Sequence, residues 1–347
     1  MNLNAIRTPS ILRMLALGLL GMSLSGCVSV PASFNTYREN FASVKSNALD
    51  LYLRSSNIAD DIANRPDQES SITDRIKVLE TRKTALNLRL EAIALIDRYN
   101  SVLIKLGEGS SADALKTEIS GLQQGLSSFN LASVSKMLEK GGPYLNVVAQ
   151  GVSLIEDAVK KRKFKNAVDA AQKPMIGILD ILSADADDLE DVLVQELKLQ
   201  QDPYRVQVDS LGGRFYTRMK TFKPTSDMES LLSRLNTARQ GMGRNNYKPL
   251  TYQPAEVAVE PKPADVDALT ALVGQVEISA VAYSKIQMQI NAQREVIQDY
   301  KNALDATKKC FVAIAGDVEA TRVVATADFV RQATEMRKAV LRLQEAR

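Results

Sequence analysis

Few residue types in this chain could carry chemistry. Its 347 residues include no histidine, so it can assemble no Ser-His or Cys-His nucleophile, no imidazole-ligated metal and no imidazole acid/base. There are two cysteines, Cys27 and Cys310. Ser133 and Lys136 have the S-x-x-K spacing in which a lysine activates a serine. The companion S-D-N and K-T-G elements are missing, since Ser226-Asp227-Met228 lacks the Asn. Gly107-Glu108-Gly109-Ser110-Ser111-Ala112 matches G-x-G-x-x-A. That motif cradles a pyrophosphate only after a strand, and here a helical pattern precedes it, so the segment reads as a helix-helix turn. Asp185, Asp187, Asp188, Glu190 and Asp191 form an acidic cluster without the loop glycine of a calcium site. It is expected to be a solvated helix face. Paired carboxylates could serve as an acid/base couple, but helix seams of small aliphatics rarely leave a cleft for one. No catalytic, cofactor-binding or metal-binding residue is assigned, and the chain is expected not to be an enzyme.

The N-terminus carries the most specific signal. Arg7 and Arg13 give a positive start without an acidic residue, and Met14–Met22 is an apolar run of nine. That run is too short to span a bilayer, which takes about 20 residues. Leu24-Ser25-Gly26-Cys27 follows. This is the layout of a secretory signal peptide. Its ending resembles the lipobox of bacterial lipoproteins, a Leu and two small residues before a Cys. The resemblance covers residues 1–27 only. It implies that Cys27 is lipidated, that the chain is cut before it, and that the new amine is acylated, typically with palmitate. Residue 28 is Val28 rather than the Asp that retains many such lipoproteins at the inner membrane. The implied location is therefore the outer membrane, lipid-anchored and facing the periplasm. Three acyl chains hold far more firmly than one, since each buried CH₂ contributes about 0.8 kcal/mol.

Cleavage removes Arg7 and Arg13, taking 44 cations to 42 against 41 acids, a net of +1. No nucleic-acid partner is implied. The expected partners are the lipid bilayer, through acylated Cys27, and other envelope proteins, with no small-molecule substrate evident. Cys310 then has no intramolecular partner, and beside Phe311 on a helix it is expected to be buried as a small hydrophobe.

The rest of the chain must position whatever function there is, and it reads as helix. Aromatics are 5% with no Trp, so the core is built from Leu, Ile, Val and Ala, which suits helices. Phe34, Tyr37, Phe41, Val44, Ala48, Leu51, Ser55, Ile58 and Ile62 alternate three and four apart, a coiled-coil-like seam. A second seam runs through Ile72, Ile76, Leu79, Leu86, Leu90, Ile93, Ile96, Leu103 and Leu106 to the stop at Gly107 and Gly109. Ser110 or Ser111 caps a third helix bearing Leu115, Ile119, Leu122, Leu126 and Phe129. Pro174 marks a kink or a new start before Ile178, Leu182, Leu189, Val192 and Leu199. Asp202-Pro203 reads as a helix start. Residues 203–224 fit both a hairpin and a helix, the helix being favoured. Thr225 opens a short helix to about Arg239. A further seam, from Tyr283 through Ile286, Ile290, Gln293, Ile297, Tyr300, Leu304, Thr307, Phe311 and Ile314 to Val318, includes two polar members, and Gly316 is positioned to break it.

The expected fold is all-α, an elongated bundle of long antiparallel helices with coiled-coil-like seams. Its divisions are a signal peptide (1–26), the lipidated Cys27 with a short tether (27–33), a helical bundle (34–247), a Pro-rich linker (248–264), and a long C-terminal helical segment packing on the bundle (265–347). Two basic clusters, Lys160 to Lys165 and the Arg/Lys-aromatic mix of 203–224, read as solvated helix ends or as an interface. The expected function is a non-enzymatic binding, scaffolding or spacer role in the cell envelope. The alternative is a membrane-active, pore-forming-like helical protein. The absence of about 18 uninterrupted apolar residues after the signal peptide argues against that alternative.

Overall fold

The computed structural model describes residues 32–63, 72–128, 155, 157, 164–243, 248–316 and 319–345. Among them the chain is all-helical, with no strand: α1 (Ala32–Ala63), α2 (Ile72–Gly107), α3 (Ala112–Ser128), α4 (Phe164–Met219), α5 (Ser226–Gln240), α6 (Pro263–Ala315) and α7 (Glu319–Glu345). Residues 1–31, Phe129, Ser133, Lys136, Lys160–Lys163 and Val318, and the side chains of Ser55, Ile58, Ile62, Ile72–Leu86, Leu126, Asp188 and Val192, for which the sequence sets expectations, lie outside the described residues.

The local stops are those that the turn chemistry demands. Gly109 takes φ +70°, the left-handed conformation that favours glycine. The Ser110 N–H donates to the Lys105 carbonyl at 2.9 Å, and the Ser111 hydroxyl accepts from the Ala114 N–H at 3.3 Å. The G-x-G-x-x-A segment is therefore a helix-helix turn. Thr225 caps α5 by accepting from the Met228 N–H at 3.3 Å. Asp265 accepts from the Lys262 N–H at 3.1 Å, with Pro263 starting α6.

Neither proline starts a new helix, which excludes the start read at Asp202-Pro203 and the new start among the two readings of Pro174. Pro174 and Pro203 both lie inside the 56-residue α4, which neither restarts at Asp202 nor ends before Pro174. Each proline removes one backbone hydrogen bond. Lateral packing along α6 holds the helix through both positions. At Pro203 the freed acceptor is the carbonyl of Leu199, a residue 42% exposed, where water can reach it. The seam residues 203–219 are helical, which settles the hairpin alternative. At the other end of the chain, Gly316 caps α6 through its N–H to the Val312 carbonyl at 3.1 Å, and α7 turns back along α6. The C-terminal helical segment is thus two helices.

Two hydrophobic cores form. The larger joins α1, α2, α3, the first half of α4, the second half of α6 and α7. The smaller joins the end of α4, α5 and the first half of α6, with Leu250 and Tyr252 packed against it. Only α4 and α6 run through both. Their contacts are in reversed order: Asp180, Asp187 and Glu190 of α4 meet Lys308, Lys301 and Arg294 of α6. Further on, Gln201 donates to the Tyr283 carbonyl at 3.2 Å, and Arg218 to Asp265 at 3.1 Å. At 1.5 Å per residue, the 53-residue α6 measures about 80 Å.

Residues 248–262 are not helical, and they are fastened to the smaller core. Leu250 and Asn236 exchange two hydrogen bonds of 2.9 Å. The Tyr252 hydroxyl donates to the Phe222 carbonyl at 2.6 Å, and the Lys223 N–H donates to the Val259 carbonyl at 2.8 Å.

Candidate functional site

Cys27, the one residue assigned a modification by the sequence, lies outside the described residues. What is described begins with α1, at Ala32. Phe34, near the start of α1, meets the ring of Phe164 edge-on at 5.7 Å. Tyr37 packs 5.6 Å from both Phe311 and Phe329. The beginnings of α1, α4 and α7 and the last turns of α6 therefore close one end of the larger core. The smaller core lies at the far end of α4 and α6.

The most concentrated polar chemistry is a buried cluster shared by four helices. The Arg89 guanidinium of α2 grips the Asp185 carboxylate of α4 through Nε and Nη2, with side chains only 15% and 14% exposed. Arg89 also lies 5.8 Å over the ring of Tyr52 of α1, and the Tyr52 and Tyr300 hydroxyls are 2.7 Å apart. Burial pulls the Arg89 pKa down, and the hydrogen-bonded Asp185 carboxylate overrides that pull and raises it. Burial pushes both phenols well above the usual tyrosine range. At neutral pH the phenols keep their protons and the ion pair is closed on itself. The arrangement locks helices together and presents no poised acid, base or nucleophile.

This corrects the reading of the acidic cluster as a solvated face at Asp185, while Asp187 and Asp191 are exposed as that reading expects. Asp185 is inside the fold, and Asp187 and Glu190 are paired across to α6. The available signal was a matched spacing: Asp180 and Asp187 are one heptad apart, as are their partners Lys301 and Lys308.

Cys310 is buried, and burial pushes its thiol up to about 11, far from the thiolate that reactive cysteines need. The basic-aromatic stretch is largely occupied within the chain. Arg205 pairs with Asp202, Arg218 with Asp265 and Lys223 with Glu260, while Lys220 sits 4.4 Å over the Tyr216 ring. Lys165 is exposed at the start of α4.

A groove of about 770 Å³ lies between α5 and α6, with Thr237 and Gly241 on one wall and Ala280, Val281 and Met288 on the other. Sequence reasoning did not find it, because it is made by two helices whose pairing was not foreseen. Its exposed lining is mostly apolar, with Arg234, Glu277, Lys285 and Glu345 as its charged members. Among the described residues, no group of three or more Cys, Asp or Glu is placed to hold a metal ion. No protein-family model matches the chain, and neither a curated protein nor a solved structure matches it.

Proposed function

We propose that the protein is a lipid-anchored, non-enzymatic spacer or scaffold of the bacterial cell envelope, held in the outer membrane through acylated Cys27 and facing the periplasm. In this reading the body is an elongated bundle of antiparallel helices with coiled-coil-like seams, and its partners are the bilayer and other envelope proteins. The observation that carries it is the division of labour between the two cores. Ala32, to which the tether leads, belongs to the end closed by Phe34, Phe164, Phe311 and Phe329. The smaller core begins at Leu269, and the rise from there to Phe311 along one helix is about 60 Å. An anchor at one end and a small helical head at the other is the layout of a device that presents a surface at a set distance from a membrane.

The test is the mass of the protein extracted from membranes. The proposal expects a chain beginning at Cys27 and carrying acyl groups. A soluble wild-type product with unmodified Cys27 would refute it.

The membrane-active alternative has one observation in its favour. By length and composition α6 contains an 18-residue window apolar enough to cross a membrane, with mean hydropathy 1.2 and 28% of it buried. Against it, the same stretch supplies Leu269, Val273, Val276 and Ala280 to the smaller core and holds Glu277 in a two-bond pair with Arg234. Insertion would break both. Leakage of dye from liposomes on adding the protein would favour the alternative over the spacer.

A further inference from the structure

We propose that an uncovered row on α6 is the contact between two copies of this chain. Ala271, Gly274, Ile278, Val281, Lys285 and Met288 follow the three-four spacing of a coiled-coil seam. They continue the row that α7 covers further along, where Arg342 pairs with Glu295. Helix α7 ends at Glu345, which lines the same groove as Met288. Beyond that point Ile278, Val281 and Met288 are 73%, 70% and 62% exposed. Nothing among the described residues covers them. A contiguous exposed apolar row on a soluble surface marks an interaction site.

The row says what fits it, because it is complementary to itself. Laid antiparallel about Val281, it sets Gly274 opposite Met288, Glu277 opposite Lys285, and Ile278 opposite Ser284. Gly274 leaves open space in the row, since a Cβ there would meet nothing within 4 Å. A long thioether thus faces an empty space, and a branched side chain faces a short one. Lys285 forms no ion pair among the described residues, and Glu277, though bound by Arg234, keeps free lone pairs. Parallel pairing would bring Lys285 against its own copy, a like-charge contact that disfavours it. The end of α7 blocks side-by-side alignment over the whole helix, so the two α6 helices cross, as helices packed through their i±4 ridges do at about 50°. Such an isologous contact closes on itself and stops at two chains.

The test uses the full-length chain in its own membranes and after detergent extraction. Val281→Cys sits on the two-fold axis and is expected to form a disulfide-linked dimer within minutes of mild oxidation. Gln298→Cys, exposed elsewhere on α6, is expected to stay at the background of the wild-type chain, whose own Cys27 and Cys310 serve as the control whether or not Cys27 is acylated. The extracted wild-type protein is expected to have the mass of two chains, and Ile278→Asp or Gly274→Leu to weaken the dimer at least tenfold without lowering the melting temperature. A single-chain mass at tens of micromolar, with no Val281→Cys disulfide above the Gln298→Cys level, would overturn the inference. So would a Val281→Cys disulfide formed with a different protein.

Discussion

Removing one member of the Arg89–Asp185 pair is the sharpest perturbation of the fold. Asp185→Ala deletes a carboxylate that receives two guanidinium hydrogen bonds where both side chains are about one-seventh exposed. Arg89 stays charged beneath the Tyr52 ring and has lost its counter-charge. Breaking a fully buried pair this way costs about 3–5 kcal/mol. The residual exposure lets water reach part of the guanidinium, so the low end, about 3 kcal/mol, is expected. Arg89→Met should cost a similar amount by orphaning Asp185. The double change Arg89→Met with Asp185→Leu replaces a desolvated pair by apolar volume and should return to within about 1 kcal/mol of wild type. Urea unfolding followed by circular dichroism reads all three. A loss below about 0.5 kcal/mol for Asp185→Ala would mean that the pair is solvated. A double variant as unstable as both singles combined would mean that side-chain shape, not charge, carries the site.

Leu304→Ala, in the buried seam of α6, should cost about 2–5 kcal/mol, whereas exposed Gln298→Ala should stay within about 0.5, both read by thermal melting. Cys310 should react slowly with a thiol reagent until the protein unfolds. Because its folded pKa is raised above the unfolded value, the thiolate favours the unfolded chain, so stability should fall as pH rises from about 9 towards 11. The buried phenols of Tyr52 and Tyr300 act in the same direction, and Cys310→Ala should lessen the fall in pH-dependent urea melts. Cys27→Ser should block maturation, leaving a precursor detectable by its mass, whereas processing at the wild-type rate would remove the basis for the anchor.

Where side chains repeat along one helix, the sequence was readable. Phe34, Tyr37, Phe41, Val44, Ala48 and Leu51 are all buried, as their spacing requires. Gln293 and Thr307 are buried in the α6 seam despite their polarity, and Thr307 satisfies its hydroxyl on the Ala303 carbonyl at 2.6 Å. Leu199 was expected on the packed face and is exposed, while nearby Glu196 and Gln201 are buried instead. Between the two cores Gln201 of α4 donates to the Tyr283 carbonyl and to Gln287 of α6, so the buried face there is the one turned towards that helix. The helix start read at Asp202-Pro203 failed because that rule weighs a local hydrogen bond without the packing of a long neighbouring helix. The Pro-rich stretch has no periodicity, and its attachment depends on single bonds such as Asn236 to Leu250. No spacing pattern encodes those. Of the candidate sites, the lipobox-like pattern is written locally in residues 24–27, whereas the α5–α6 groove exists only once two helices have paired.

The separation of the aromatic end, where the proposal puts the anchor, from the small head is best measured directly. Spin labels at Arg38→Cys, one residue from Tyr37 at the aromatic end, and at Thr270→Cys, beside Leu269 in the smaller core, are both on exposed positions. Buried Cys310 should take up little label. Pulsed electron-resonance distances on membrane-extracted protein, with the labelled chain diluted into an excess of unlabelled chain so that only pairs within one chain are read, should centre near 60 Å, the rise along α6 between the levels of Phe311 and Thr270. A distribution centred below about 40 Å would mean that α6 does not run as one helix between the two cores, and the spacer account would fall with it.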